Sequence, residues 1–404
     1  MTAGTGPESP RHPLRIFIVA GEASGDHLGA ALIDAIRADA GNEVQFSGVG
    51  GAAMAARGVR SLISMEDVSI VGFSNIFKNL NRILRHISYI SQVISQECPD
   101  ALVIIDSPEF THRIARKVRH FSPDIPIVDY VSPSVWAWRP WRAKAMRSYV
   151  DHVLALLPFE VDVHRRLGGP PCSYVGHPLS EQVDTLRPSA PEQARRQAEP
   201  PVVLLLPGSR SSEIAALGPV FGETVARLAG RGVTSPDFVL PTLPHLADRI
   251  GALVANWPVR PRIAIGEDEK RAAFRVARAA LAASGTVTLE LALAGIPTVA
   301  AYRVSALEAF VARRLVKSPS VILANLVIGE NVVPEFLQED CTAASLAAAL
   351  APLLADTPER TRQLAAFARL DGIMKIGKFR PSDEAARIVL SYARNGRRTA
   401  VTPA

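Results

Sequence analysis

Residues 15–20 read RIFIVA and residues 21–26 read GEASGD; these two strings decide the fold. The first is apolar without alternation, the pattern of a strand covered on both faces and so of a parallel sheet. The second is a glycine-bearing turn. After it Leu28, Ala31, Leu32, Ala35 and Ile36 recur at helical spacing, and Gly41 supplies a stop. Strand, glycine turn, helix is the opening unit of a doubly wound sheet.

Outward from there the pattern repeats. Residues 101–105 (ALVII) end at Asp106, and 125–131 (IPIVDYV), 153–157 (VLALL) and 172–175 (CSYV) follow. A second series runs through 202–206 (VVLLL), 238–240, 263–265, 279–283 and 298–301, with helical spacing over 220–229 and 287–294. Between the series, 183–200 turns charged and Pro-containing and loses apolar periodicity, as a linker does. A chain of 404 residues exceeds one ordinary core, which agrees with two domains. The expected layout is a loose tail at 1–13, a Rossmann-like domain at 14–182, the linker at 183–200 and a second Rossmann-like domain at 201–372. A helical tail at 373–396 and a loose end at 397–404 complete it. Ligands of such a pair belong in a cleft between the domains.

Composition narrows the function. Hydrophobic residues are 48% and charged residues 21%, an ordinary globular balance that excludes a disordered chain. No run of 18 apolar residues exists to span a bilayer, and no apolar core follows the charged start as a secretory signal requires. Cys98, Cys172 and Cys341 are odd in number and far apart, which favours reduced thiols over disulfide, zinc or redox roles. A net charge of +6 suits an acidic partner: nucleic acid, nucleotide phosphate or anionic lipid.

Chemistry-bearing residues sit where strands end. The 21–26 loop offers Glu22, Asp26 and backbone N–H groups at a helix start; the plainer reading is a tight turn capped by Asp26 or Ser24. Asp106 ends a buried strand before Ser107-Pro108, where a part-shielded carboxylate can act as general base. The commoner role for such an aspartate is accepting loop N–H bonds. Gly208, Ser209 and Arg210 follow the first strand of the second half, and Arg210 presents a planar fork to phosphate oxygens. Ser284, Gly285 and Thr286 follow another strand and open a helix carrying Glu290, which can accept from ribose hydroxyls. Two such loops in one domain point to a nucleotide diphosphate.

The stretch 68–77 differs in kind. Val68, Ile70, Val71, Phe73, Ile76 and Phe77 are too apolar for an ordinary loop, and Lys78, Arg82, Arg85 and His86 follow. A basic-flanked amphipathic helix of this kind lies in a bilayer interface; packing on the sheet is the alternative, preferred from Ile83 onward. Trp136, Trp138 and Trp141 cluster with Arg139, Arg142, Lys144 and Arg147, either to stack bases, to edge a lipid pocket, or as a structural cluster. His27 and His177 read as packed or hydrogen-bonded histidines rather than bases.

Several strings, in order, resemble the lipid-A-disaccharide synthase family: GEASGD at 21–26, VSPSVWAW at 131–138, LPFE at 157–160 and VGH at 175–177. PGSR at 207–210, ASGT at 283–286 with Glu290, Tyr302-Arg303 and Asn325-Leu326 continue the match. The resemblance runs from about residue 15 to residue 390, and VSPSVWAW is its most specific string. It implies a GT-B glycosyltransferase: two doubly wound Rossmann-like domains about an interdomain cleft, the second holding the sugar nucleotide. It implies metal-independent, inverting transfer with no cofactor. The donor would be UDP-2,3-diacylglucosamine and the acceptor 2,3-diacylglucosamine 1-phosphate. The products would be the β-1,6-linked disaccharide 1-phosphate, on the path to lipid A, and UDP. Implied too are a peripheral place on the cytoplasmic face of a Gram-negative inner membrane, a homodimer, and no nucleic-acid partner.

By position, Asp106 matches the family's proposed base, Glu22 and Asp26 the acids of its first loop, and Arg210, Glu290 and Asn325 its nucleotide-site residues. There is one departure. Residues 106–111 read DSPEFT, where the family commonly has a second Asp and then Asn; Glu109 keeps the charge on a longer arm, which puts that acid's role in doubt. Arg139 is the candidate for holding the acceptor phosphate. A UDP-N-acetylglucosamine 2-epimerase has the same two-domain architecture but needs no lipid-facing segment. A basic, non-catalytic adaptor would leave the paired phosphate loops without a purpose, and a dinucleotide enzyme lacks its GxGxxG fingerprint.

Overall fold

A computed structural model of the chain describes residues 13–67, 73–230, 235–304 and 318–397, without the side chains of 42, 66 and 73–80. The chain divides into two units, one ending at Pro178 and resuming at Phe379, the other running from Leu179 to Lys378.

The first unit opens with β1 (Leu14–Ala20), α1 (Ala23–Ala40), β2 (Val44–Val49), the single turn α2 (Ala52–Ala55) and α3 (Phe73–Glu97). It continues through β3 (Ala101–Ile105), α4 (Pro108–Phe121), β4 (Ile127–Tyr130), α5 (Trp141–Met146), β5 (His152–Ala155), α6 (Glu160–Leu167) and β6 (Cys172–Tyr174). The six strands are parallel in the order β2-β1-β3-β4-β5-β6. Each of β3, β4 and β5 is buried along its whole length, as expected of strands sandwiched between helices. Ile16 and Ile18 of β1 pack with Ile33 and Ile36 of α1 on one face. Phe17 and Val19 pack with Ile90 of α3 and Ile114 of α4 on the other, so alternate residues of one apolar run serve two cores.

The helix Pro381–Asn395, expected in a separate tail, belongs to this unit. Its Ala385, Ile388, Val389 and Tyr392 are buried with α1 and β1. Helical periodicity announced a buried face but carried no information about which surface covers it.

The second unit holds α7 (Val183–Leu186), α8 (Ala190–Gln197), β7 (Val202–Leu206), α9 (Ser211–Ala229), β8 (Asp237–Thr242) and α10 (Ala247–Val254). Then come β9 (Arg262–Ile265), α11 (Glu267–Val276), β10 (Ala279–Ala283), α12 (Thr286–Leu293), β11 (Thr298–Tyr302) and β12 (Glu335–Leu337). Its sheet is parallel in the order β12-β11-β10-β7-β8-β9. The stretch 183–200 is therefore not a linker. Its charges looked solvated, yet Arg196 is buried and donates to the carbonyls of Phe274, Ala294 and Gly295, while Glu192 caps α8 and pairs with Arg275. Helix α9 begins nine residues before its apolar repeat, at Ser211, and runs through Pro219.

Both sheets reverse their winding beside their first strand, between β1 and β3 and between β7 and β10. In open α/β sheets the carboxyl edge at such a switch point is where ligands bind. Among the described residues no helix is long and apolar enough to cross a membrane.

Candidate active site

In the first unit, the loops after β1 and β3 meet at the switch point. Asp106 and Ser107 both adopt left-handed backbone, at φ 53° and 46°. Residues other than glycine hold that conformation only where their surroundings impose it, and such strain collects at functional sites. Here the Asp106 N–H donates to the carbonyl of Tyr130 at 3.1 Å, and Thr111 Oγ1 donates to the Asp106 carbonyl at 2.6 Å. Pro108 fills the first position of α4, where a missing N–H costs nothing. The half-buried Asp106 carboxylate accepts from the Ser107 N–H at 2.7 Å, and the Ser24 hydroxyl approaches its other oxygen at 3.4 Å. The Ser24 contact is long, so that second oxygen is the more weakly held of the two.

The opposing loop is shaped to Ser107. A Cβ on Gly21 would lie 2.5 Å from Ser107 Cβ and 2.7 Å from its Oγ, well inside van der Waals contact. Glu22 stands exposed at the start of α1 on this edge. Asp26, expected with Glu22 as an acid of this loop, is bonded away from the edge. It is buried, and its oxygens accept from the N–H groups of Gly51 and Ala53 at 2.8 Å and Met54 at 3.0 Å. Those bonds satisfy the opening of α2, the capping role of a short acid, here reached from another helix.

The 131–138 string folds onto the 157–160 string. Ser132 Oγ lies 2.8 Å from His164 Nε2, Trp136 meets Phe159 edge to face at 5.6 Å, and its indole donates to Glu160 at 3.3 Å. Burial pushes the Glu160 carboxyl up to about 8, against the donors Leu157 N–H and Trp136. Two of the most recognisable strings are thus one structural clasp, with Trp136 inside it rather than in a ligand. Trp138 instead carries the guanidinium of Arg139 over its ring at 4.1 Å. Glu109 forms ion pairs with Arg139, at 3.2 Å, and with Arg142. Burial raises its carboxyl, but the Arg142 hydrogen bond and the charges of Arg142, Arg139 and Arg113 outweigh that and hold it below the usual range.

In the second unit, a cavity of about 360 Å³ opens at the β7/β10 switch point. Gly208, Ser209 and Arg210 form one wall, Ser284, Gly285 and Thr286 another, and Glu290 lies on the floor. Gly208 has φ 110°, and a Cβ there would meet Glu213 Oε2 at 2.4 Å, so glycine is required. Glu213 accepts from the N–H groups of Ser209 and Arg210 at 3.2 Å, and from the Arg210 guanidinium at 3.1 Å. Arg210 is 70% exposed at the rim. Helix α12 directs its first N–H groups and its positive end into the cavity. Ser284 Oγ is engaged with the Val321 carbonyl at 2.9 Å, so its backbone rather than its hydroxyl faces this task.

Lys270 was not visible in sequence. It lines the same cavity and pairs with Glu290 at 2.6 Å, holding a nearly buried carboxylate from the neighbouring helix. The two residues come from α11 and α12, and only the fold brings them together. Asn325 is not a wall of the cavity. It is buried, its carbonyl accepts from Val332 and Val333 N–H, and its amide donates to the Val333 carbonyl and Glu335. The group staples the 332–335 turn. Val68, Ile70 and Val71 lie outside the described residues, as do the side chains of Phe73, Ile76 and Phe77.

The family model for lipid-A-disaccharide synthetase matches residues 16–387. A lipid-A-disaccharide synthase of Rhodopseudomonas palustris (strain BisB18) is 60% identical over 376 residues, covering 93% of this chain and 95% of its own. One from Bradyrhizobium diazoefficiens is 59% identical, covering 96% and 99%. Among solved structures, the Neisseria meningitidis UDP-GlcNAc 2-epimerase bound to UDP-GlcNAc aligns with TM-score 0.61 at 12% identity, over 93% of this chain and 100% of that one. Acinetobacter baumannii MurG aligns at 0.56 and 15%, over 94% and 99%. At such identities these structures speak for the GT-B-type fold alone.

Proposed function

From the premise that this chain belongs to the lipid-A-disaccharide synthase family, we propose that its second unit grips the UDP group of the donor and that Asp106 of its first unit deprotonates the acceptor. The chain is a glycosyltransferase. It condenses UDP-2,3-diacylglucosamine with 2,3-diacylglucosamine 1-phosphate and releases UDP and the disaccharide 1-phosphate. One observation carries the donor assignment: the Gly208–Arg210 and Ser284–Thr286 loops and Glu290 line a single cavity.

The chemistry follows from the residues. As the C1–O bond of the donor breaks, charge grows on the β-phosphate; the α12 end and Arg210 stabilise it without reorganising at the moment of reaction. Arg210 exchanges Glu213 for the phosphate, and Glu290, steadied by Lys270, accepts from the ribose. The Asp106 oxygen that Ser24 approaches takes the proton of the acceptor 6-hydroxyl as the hydroxyl oxygen attacks C1 from the face opposite the leaving UDP. The configuration inverts. Glu22 at the same edge orients the acceptor.

The acyl chains bring the enzyme to a membrane. Burying them is worth about 0.8 kcal/mol per methylene, which favours a peripheral enzyme over one that draws lipid through water. We assign that contact to residues 68–77, on the cytoplasmic face of the inner membrane, with a homodimer as the working assembly. Changing Val68 and Phe73 to Ser then weakens binding to anionic vesicles more than it lowers the melting temperature.

The deciding assay mixes the purified protein with both acylated sugars and measures UDP together with disaccharide. Equal turnover of UDP-N-acetylglucosamine lacking acyl chains would overturn the lipid assignment, and an epimerised sugar without disaccharide would favour the epimerase reading.

A further inference from the structure

We propose that a basic cavity on the first unit, between the opening turns of α4 and the 142–149 segment, is a phosphate subsite that takes the phosphomonoester of the acylated acceptor. This deepens the function given above and rests on its acceptor chemistry. The cavity measures about 280 Å³, and its walls include Glu109, His112, Arg113, Arg116, Arg142 and Tyr149. Three guanidinium groups face a single carboxylate there, an excess of cations that a dianionic phosphate offsets.

The donors are held in place before any ligand arrives. Arg116 donates to the Tyr149 hydroxyl at 3.1 Å and lies 4.7 Å from the centre of its ring. His112 Nδ1 meets the same hydroxyl at 3.1 Å, while its Nε2 lies 3.3 Å from the fully buried Asp129. A guanidinium has five N–H donors, and this contact occupies one of Arg116's. Arg142 bonds Glu109, whose side chain is 63% exposed. That carboxylate sits on the fork where a phosphate oxygen would, and its exposure lets it withdraw. Arg113 adds its charge to the field on Glu109 from the same turn of helix.

Placement ties the cavity to the reaction. Helix α4 begins two residues after Asp106, and His112 and Arg116 rise roughly 6 and 12 Å from Pro108 along its axis. A hexose spans that interval with its 6-hydroxyl toward the Asp106 edge and its anomeric phosphate toward the arginines. The adjoining helix is α3, joined to α4 by the Lys117–Ser88 hydrogen bond at 2.7 Å, and α3 follows directly on the 68–72 stretch. Arg139, the candidate offered by the sequence for this role, lies over Trp138 and is not a wall of the cavity.

The test compares wild type with an R113Q/R116Q variant; both side chains are exposed, and an unchanged melting temperature checks that the variant is folded. Binding of 2,3-diacylglucosamine 1-phosphate in detergent micelles is measured without donor, beside the same sugar with a free anomeric hydroxyl. Wild type prefers the phosphorylated sugar by about tenfold or more, the range of one or two charged hydrogen bonds, and the variant loses that preference. In turnover the variant raises KM for the acceptor by a like factor and leaves the Kd for UDP unchanged. If both proteins keep the same preference for phosphate, the subsite is overturned. Reduced binding to phosphatidylglycerol vesicles with the preference intact would give the cavity to bilayer headgroups, and would overturn it too. Phosphate-dependent binding that the variant abolishes, in a protein that forms no disaccharide, would support the subsite and refute the reaction instead.

Discussion

Gly21→Ala is the sharpest probe of the interlocked loops in the first unit. The new methyl would lie 2.5 Å from Ser107 Cβ, where carbon atoms pack at about 3.5–4.0 Å, so roughly 1 Å of movement must be found. Ser107 cannot supply it by turning a rotamer, because the nearest atom is its Cβ and its backbone is already left-handed. The displacement passes to Asp106, one residue away. Overpacking of this kind costs about 1–3 kcal/mol of stability. A misplacement near 1 Å at a reacting group costs on the order of a hundredfold in rate. The expected result is a loss of about a hundredfold in kcat for disaccharide formation, a few degrees in melting temperature, and no change in the Kd for UDP. Ser107→Gly removes both clashing atoms and suits φ 46°, and the Ser107 hydroxyl it deletes is buried with no partner among the described residues. The Gly21→Ala/Ser107→Gly pair should therefore recover most of the rate. A Gly21→Ala penalty of equal size with and without Ser107→Gly would refute the contact as the cause.

Other outcomes follow from the same geometry. Asp106→Asn should cut kcat by roughly 10²–10⁴ while the melting temperature and UDP affinity, by calorimetry, stay at wild-type values. Lys270→Met should weaken UDP binding by about tenfold, because Glu290 is left as an uncompensated, nearly buried carboxylate in the nucleotide cavity; an unchanged Kd would remove the pair from the nucleotide site. Acid should loosen the first unit. Burial lowers His152 to about 4, beneath its ordinary 6.5, so it contributes stability in full above pH 6.5 and loses it as pH falls through 4. The loss is about 3 kcal/mol, readable by denaturant unfolding at pH 7 and pH 4, and His152→Gln should flatten the difference. His177, lowered by burial to about 4, acts in the same direction.

Much of the fold was legible because a short apolar run without alternation, bounded by turn residues, fits little besides a strand buried on both faces. RIFIVA, ALVII and VVLLL each became central strands, and within the first unit the loops after RIFIVA and ALVII meet as winding predicts. The nucleotide loops were legible for the same reason: each follows a strand, and adjacent strands bring them together. What local pattern could not supply was partnership. Asp26 had the spacing of an active-site acid, yet its partners are three N–H groups some 25 residues on, which a loop-level reading cannot see. Asn325 has its hydrogen-bonding capacity consumed by a turn, Lys270 gains its meaning from Glu290 on another helix, and Arg196 of the charged 183–200 stretch is buried against backbone carbonyls. Recurrence of a string within a family likewise did not separate contact with substrate from mutual bracing, as the Trp136–Glu160 clasp illustrates.

The return of the last helix to the first unit has a consequence for biosynthesis. A ribosome makes β1 about 370 residues before Tyr392, so the groove that Ile388 and Val389 fill stays wet while the whole second unit is translated. A premature stop codon anywhere in the distal half of the message would therefore damage the opening domain as well, by withholding the piece that seals it. Expressing residues 14–178 alone should give a sticky, aggregation-prone fragment, and supplying residues 379–397 as a separate peptide should rescue its solubility.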